Sequence, residues 1–163
     1  MEESALMNKP HIIQEEGNLR ALIDAIIYKN VKDYNNTEKI DNFVENITNS
    51  ILNNKIIRID VDELSLRRIG KTYLLSSIAE FINNNNEFEA IYVARNSSIK
   101  RIMANDYLMN TRCIIKSDVD KYDFEIRYNK EQIYIIVDEI SNELYEYIKS
   151  KAPKATIIGI VQI

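Results

Sequence analysis

The segment Ile133–Val137 is the feature that most restricts how this chain can fold. It is an uninterrupted apolar run, and it ends directly on the acidic pair Asp138-Glu139. A strand that is apolar on both faces must be buried on both faces, as in parallel sheets that are covered by helices. Ligands of open α/β sheets bind beyond the carboxyl ends of the strands. The run therefore predicts a central parallel strand that places two carboxylates at a ligand-binding edge.

Short apolar runs alternate with helical patterns from Lys55 onward, which is typical of an α/β protein with a mostly parallel sheet. The four main predicted strands are 56–61, 89–94, 133–137 and 156–163. The predicted helices between them are 72–81, 97–105 and 142–151. Residues 112–116 and 124–127 are shorter and less regular strand candidates. The pattern indicates a three-layer fold with helices on both faces of the sheet.

The first 54 residues are predicted to form a helical extension ahead of residues 55–163. Apolar residues recur there at the three- and four-residue spacing of an amphipathic helix, in two separate stripes. The stripes are Ile12, Leu19, Leu22, Ile23, Ile26 and Ile27, and then Ile40, Phe43, Val44, Ile47, Ile51 and Leu52.

Composition excludes several classes of function. The 163 residues include one cysteine, Cys113, and one histidine, His11, so a disulfide framework is impossible and a cysteine zinc site is not expected. Cys113 lies in an apolar run and is predicted to be a buried strand residue. No apolar run approaches the roughly 20 residues that span a membrane, and the first residues lack the features of a signal peptide. We therefore expect a cytoplasmic protein with no membrane partner. The net charge of −4 gives no global basic field, although a local basic groove can lie on an acidic protein.

The segment Ser65–Thr72 lies between a predicted strand and a predicted helix and ends in Gly70-Lys71-Thr72. Backbone N–H groups of such a loop surround a phosphate at the positive end of the following helix. Lys71 would add a charge to the phosphates, and the Thr72 hydroxyl would bind Mg²⁺. Gly70 permits a backbone approach that a Cβ would block. The predicted nucleotide-binding residues are Ser65, Arg68, Ile69, Gly70, Lys71, Thr72 and Tyr73.

Asp138-Glu139 strengthens this interpretation, because two adjacent acids at a strand end need a cation or a catalytic task to offset their repulsion. Asp138 is predicted to hold Mg²⁺ with Thr72, and Glu139 to polarise the water that attacks the γ-phosphate. Alone, the pair would be read as a cap for the helix that starts near Asn142. Together with the loop, it predicts binding of ATP and Mg²⁺.

These two motifs resemble the P-loop NTPases in which a catalytic glutamate follows the metal-binding aspartate. The resemblance implies a strand order 2-3-4-1: second strand, aspartate-bearing strand, last strand, loop-bearing strand. It also implies a polar sensor on the last strand, for which Gln162 is the candidate.

Within that class, the chain is most similar to viral DNA-packaging ATPases, the terminase large subunits and related motors. Ser65 in place of the first loop glycine, the internal Arg67-Arg68 and the segment Tyr92–Asn96 are the points of likeness. The resemblance implies a catalytic set of Glu139, Lys71, Arg67, Arg68 and Gln162. Among these 163 residues we do not expect the strand that usually follows the last one in this family, or a nuclease domain.

The expected function is an ATPase that drives DNA translocation, packaging or remodelling, with nucleotide, DNA and a homo-oligomer or larger assembly as partners. The alternative is a degenerate P-loop module that binds nucleotide without turnover and has an interaction role. A small-molecule kinase is less favoured, because adjacent Asp-Glu with a polar last strand suits motors better.

Two basic clusters remain, Lys100-Arg101 and Lys149, Lys151 and Lys154. They are interpreted as solvated helix faces. If they line one edge together with Arg95, they would instead follow a phosphate backbone.

Overall fold

The computed structural model describes residues 37–60, 71–84, 88–122 and 132–163, together with Ala21 and Phe124. The predicted helix at 12–27 lies outside this part of the chain, apart from Ala21, which is helical. In chain order the elements are α1 (Thr37–Leu52), β1 (Ile56–Ile59), α2 (Lys71–Asn83), β2 (Phe88–Val93), α3 (Ser97–Ile102), a π-helical turn (Met103–Tyr107), β3 (Arg112–Ile114), α4 (Lys116–Val119), β4 (Gln132–Ile140), α5 (Asn142–Lys151) and β5 (Thr156–Gln162). Within the described residues, no helix has the length and apolar character needed to cross a membrane.

All neighbouring strands run parallel, in the order β1-β5-β4-β2-β3. The α/β class with a parallel sheet is therefore confirmed. The four main predicted strands keep their predicted relative order, β2-β4-β5-β1, but the full order differs from 2-3-4-1 because the sheet has a fifth strand within the described residues. The short strand β3 pairs with Ile91–Val93 and takes the edge position beside β2. The other edge strand is β1, and β5 lies between β1 and β4. The strand candidate at 124–127 also fails at its one described residue, since Phe124 is helical.

The central position of β4 explains its composition. Ile135 and Ile136 are fully buried on opposite faces, and burying one such side chain stabilises the fold by about 1.5 to 3 kcal/mol. On one face, Tyr134 and Ile136 join a core that includes residues of α1 and α2. On the other face, a second core includes α5 residues. Helices thus cover both faces of the sheet, as a three-layer arrangement requires.

Cys113 lies in β3 and is buried, as predicted. Burial raises the pKa of its thiol to about 11, although the charge of Lys100 opposes the shift. A thiol with such a pKa is protonated at neutral pH and therefore behaves as a small apolar side chain.

Candidate functional site at the carboxyl edge of the sheet

The carboxyl ends of β2, β4 and β5 meet at one edge of the sheet, where α2 also begins. Asp138 and Glu139 lie near the end of β4, the middle strand of these three. Lys71 and Thr72 are the first residues of α2. Parallel strands bring such residues to one edge whatever their separation along the chain. The topology therefore places the two acidic residues opposite the first turn of α2.

A β-bulge at Glu139 directs both carboxylates to the same side of the sheet. Asp138 pairs with Ile160 and Ile140 pairs with Val161, so Glu139 has no partner in β5. Its φ of 54° lies in the left-handed region that side chains rarely adopt. Because of the extra residue, Ile140 packs in the α5-side core with Val137, whereas strict alternation would place it on the opposite face. Adjacent residues 138 and 139 can then both face α2.

The Asp138 carboxylate is almost completely buried, with a residue exposure of 1%. Its Oδ2 accepts hydrogen bonds from Thr72 Oγ1 at 3.1 Å and from Tyr92 OH at 2.6 Å. Burial nevertheless raises the pKa of Asp138, and the charge of Glu139 acts in the same direction, while the two hydrogen bonds oppose the shift. Burial also raises the pKa of Tyr92, with a further contribution from the Asp138 charge. The negative charge of the Asp138 carboxylate is therefore unfavourable at this site, and a cation bound beside it would stabilise that charge.

The Glu139 carboxylate is held by two cations. Lys71 Nζ lies 3.0 Å from Oε1, and Arg95 Nη1 lies 3.1 Å from Oε2. The side chains of Lys71 and Glu139 are only 11% and 13% exposed, whereas that of Arg95 is 41% exposed. Water therefore screens the Arg95 contact much more than the Lys71 contact.

Gln162 contacts the bulge through the backbone. Its Nε2 donates a hydrogen bond of 2.9 Å to the carbonyl oxygen of Glu139. In this state the amide therefore supports the unusual conformation of residue 139. A direct contact with a phosphate, as the resemblance implies for a sensor, stays a prediction.

The remaining predicted site residues are placed as follows. Ser65, Arg67, Arg68, Ile69 and Gly70 lie outside the described residues. Tyr73 is described, with 48% exposure, and its ring meets that of Tyr107 edge to face at 6.1 Å between centroids. It does not contact either acidic side chain. The structure thus brings together Lys71, Thr72, Asp138 and Glu139, with Gln162 behind them.

Two residues at this edge were given no role there by the sequence analysis, Tyr92 and Arg95. Both lie at the carboxyl end of β2, the strand beside β4. A tyrosine within an apolar strand is typical of packing, so only its position near the strand end could have indicated a polar role.

The alternative considered for the basic clusters, a single edge shared with Arg95, is not formed. Arg95 binds Glu139, and Lys100 Nζ binds Asp118 at 2.8 Å. Lys149 and Lys151 belong to the last turn of α5, which leads into the start of β5 at the opposite, amino edge of the sheet. The two basic clusters therefore lie at opposite edges.

The oxygen atoms at the site fit a magnesium ion better than a transition metal. Mg²⁺ in nucleotide sites is bound by one or two protein oxygens, and phosphates and water supply the others. Thr72 and Asp138 offer a hydroxyl and a buried carboxylate beside each other. Within the described part of the chain, no group of three or more histidine, cysteine or acidic side chains could form an all-protein metal site.

No protein-family model matches this chain, and comparisons with characterised proteins and with solved structures found no significant match.

Proposed function

We propose that this protein is a P-loop ATPase that binds ATP with Mg²⁺ at the carboxyl edge of its sheet and hydrolyses it. The observation that supports this best is a double contact: Lys71 pairs with Glu139, and Thr72 pairs with Asp138. The segment Ser65–Thr72 and the acidic pair were singled out separately in the sequence. A contact between the two is what nucleotide chemistry needs, because phosphate, metal and attacking water must lie within a few ångströms of one another.

Lys71 is the residue that changes its partner when nucleotide binds. Its ammonium group neutralises Glu139 in the nucleotide-free protein and binds the β- and γ-phosphates when they arrive at the start of α2. Thr72 and Asp138 would hold Mg²⁺, which would supply positive charge for the phosphate oxygens. That charge would also stabilise the buried Asp138 carboxylate, whose pKa is raised by burial.

Glu139 is then free on its Oε1 side to orient a water molecule and accept its proton as that water attacks the γ-phosphorus. The bond from the γ-phosphorus to the oxygen of the β-phosphate breaks in the same step, which releases ADP and phosphate. Arg95 keeps its contact with Oε2 and thereby fixes the direction of the carboxylate. Gln162 fixes the backbone at the same residue. Arg67 and Arg68 are proposed to stabilise charge on the transferred phosphoryl group.

A nucleotide-binding module without turnover is the second candidate, and one observation favours it. Both oxygens of Glu139 are bound to cations, so this carboxylate does not face an attacking water in the present arrangement. In that case nucleotide would act as a structural ligand that separates Lys71 from Glu139. Coupling of turnover to DNA translocation, packaging or remodelling belongs to the first candidate only.

The test is a comparison of Mg²⁺-ATP binding and phosphate release for the wild type and Glu139→Gln, with and without DNA. Glu146→Gln, an exposed glutamate on α5, is the matched control. Loss of a general base lowers turnover by about 10²- to 10⁴-fold with binding retained. If the wild type binds ATP but releases phosphate no faster than Glu139→Gln, the second candidate is correct. If neither protein binds ATP, both candidates are wrong.

A further inference from the structure

A basic groove lies on the α5 side of the edge strand β1, remote from the proposed nucleotide site. Its volume is about 510 Å³. It runs between β1 and α5 toward the amino ends of β1 and β5, where Lys55 and Thr156 lie. Its cations are Lys55, Arg58 and Lys149, and among the described residues that line it there is no acidic side chain. This groove is therefore a locally positive region on a chain whose net charge is −4.

Arg58 is held in place by uncharged neighbours. Its Nη1 donates a hydrogen bond to the side chain of Asn142, and its guanidinium group lies 5.5 Å from the centroid of the Tyr145 ring. Lys149 Nζ lies 5.6 Å from the centroid of the same ring. Tyr145 thus brings two cations together without neutralising either one. A guanidinium that is already oriented loses little entropy when it binds phosphate oxygens.

The basic surface continues around the outer strand β1 to the other face of the sheet. A second groove, of about 410 Å³, lies between α1 and β1 and shares Lys55, Ile56 and Arg58 with the first. Its other lining residues are uncharged and polar or apolar. Lys55 and Arg58 are three residues apart on an extended chain, which separates them by about 10 Å. Cations spread over such a length fit successive phosphates better than one small anion.

We infer that this groove, defined by Lys55, Arg58, Tyr145 and Lys149, binds the phosphate backbone of a nucleic-acid strand. The site is independent of the proposed ATPase site, because it lies at the other edge of the sheet and shares no residue with it. Lys and Arg contacts to phosphates position a strand without reading its sequence. Binding should therefore be insensitive to sequence and should weaken with salt.

The experiment measures fluorescence anisotropy of a labelled 20-nucleotide single strand with the full chain, over a range of salt concentrations. The double variant Arg58→Gln/Lys149→Gln is expected to bind about tenfold or more weakly and to lower the salt slope by about two. Lys151→Gln is the matched control: this lysine stacks on Tyr147 in the same helix but does not line the groove. Arg58→Lys should restore part of the affinity, since the charge is kept while the oriented guanidinium is lost.

Several outcomes would overturn the inference. They are no binding by the wild type, an unchanged affinity in the folded double variant, and an equal loss in Lys151→Gln. Competition separates the source of the phosphate and the class of polymer: inorganic phosphate should displace the strand poorly, and a poly-glutamate of equal charge should compete less well than unlabelled oligonucleotide. Equal competition by either would also contradict the proposal. Lys71→Ala should bind the strand normally, and a loss there would place the strand at the nucleotide site.

Discussion

The carboxyl and amino ends of the strands form two edges of the sheet, and the cations at these two edges have different kinds of partner. At the carboxyl edge, Lys71 and Arg95 converge on one glutamate, and the Lys71–Glu139 pair is nearly excluded from water. At the amino edge, Arg58 and Lys149 converge on the ring of Tyr145, and the described residues that line the groove include no carboxylate. A ligand at the first edge must replace a protein carboxylate, whereas a ligand at the second needs only to displace water and counterions. Selectivity is therefore expected at the carboxyl edge, and weaker, salt-dependent binding at the amino edge.

The largest expected effect on stability comes from Gly159→Ala, because β5 lies inside the sheet and extends from its amino edge to its carboxyl edge. Gly159 has a φ of 125°, and a Cβ there would lie 2.1 Å from the carbonyl oxygen of Val137. We expect the free energy of unfolding to fall by at least about 3 kcal/mol, measured by urea denaturation. Ile158→Val in the same strand is the control, with an expected loss of about 0.5 to 1.5 kcal/mol. Equal losses in the two variants would contradict the steric argument.

Lys71→Ala tests the carboxyl edge alone. On the proposed function, removing the cation eliminates a charge-assisted phosphate contact, and the affinity for Mg²⁺-ATP is expected to fall by about ten- to a hundredfold. Isothermal titration calorimetry measures this change directly. Lys100→Ala, which removes a half-exposed lysine paired with Asp118, should leave the affinity unchanged. If Lys100→Ala weakens ATP binding as much as Lys71→Ala does, the ligand is held by general charge rather than at the start of α2.

Asp138→Asn should stabilise the nucleotide-free protein by about 1 to 3 kcal/mol, because it removes a buried charge while an oxygen remains for Thr72 and Tyr92. The same change should abolish the Mg²⁺ dependence of nucleotide binding. The pKa of Asp138 is raised in the folded state, so the folded protein holds this proton more tightly than the unfolded chain does. Stability from this group is complete below the unfolded pKa near 3.8 and falls as the pH rises through the folded pKa.

Thermal unfolding over a pH series in metal-free buffer measures the Asp138 effect. The decline in stability above the ordinary aspartate range should be shallower in Asp138→Asn than in the wild type. Parallel curves for the two proteins would mean that another group is responsible.

The smallest expected effect is that of Arg58→Gln on stability. Its contacts to Asn142 and Tyr145 lie at an exposed position, where a cation–π contact contributes about 0.5 to 1 kcal/mol. We expect a change in the free energy of unfolding of less than about 1 kcal/mol. A much larger loss would mean that Arg58 is a structural residue, and the contrast between the two edges would disappear.

The sequence predicted the elements with strong patterns closely and those with weak patterns only in part. The apolar run of β4 and the full extent of α5 were predicted because burial on both faces and a 3.6-residue period leave clear signals. β3 has only three residues, too few for a strong pattern, so it was predicted only as an irregular strand candidate at 112–116. Its position at the edge of the sheet beside β2 was not predicted. At the site, the proximity of Thr72 to Asp138 follows from topology. Their roles in nucleotide binding stay predictions.

The Tyr92 contact and the bulge could not have been predicted. Tyr92 differs from the neighbouring packing residues only in the partner that its hydroxyl group finds. The bulge requires a positive φ at a glutamate, against the residue's own preference, so no propensity points to it. Both depend on contacts between strands rather than on local sequence: β2 with β4 for the Tyr92 hydrogen bond, and β4 with β5 for the bulge.

The backbone at Glu139 has a consequence for how this chain tolerates change. Glycine or asparagine would adopt a φ of 54° more readily than glutamate, by about 1 kcal/mol in the case of glycine. For the backbone alone, Glu139→Gly is therefore favourable. The same substitution removes the carboxylate that pairs with the largely buried Lys71 ammonium group, and the loss of that partner is more costly than the backbone gain. Measuring both the free energy of unfolding and the ATP turnover of Glu139→Gly would show how stability and the proposed activity each depend on this residue.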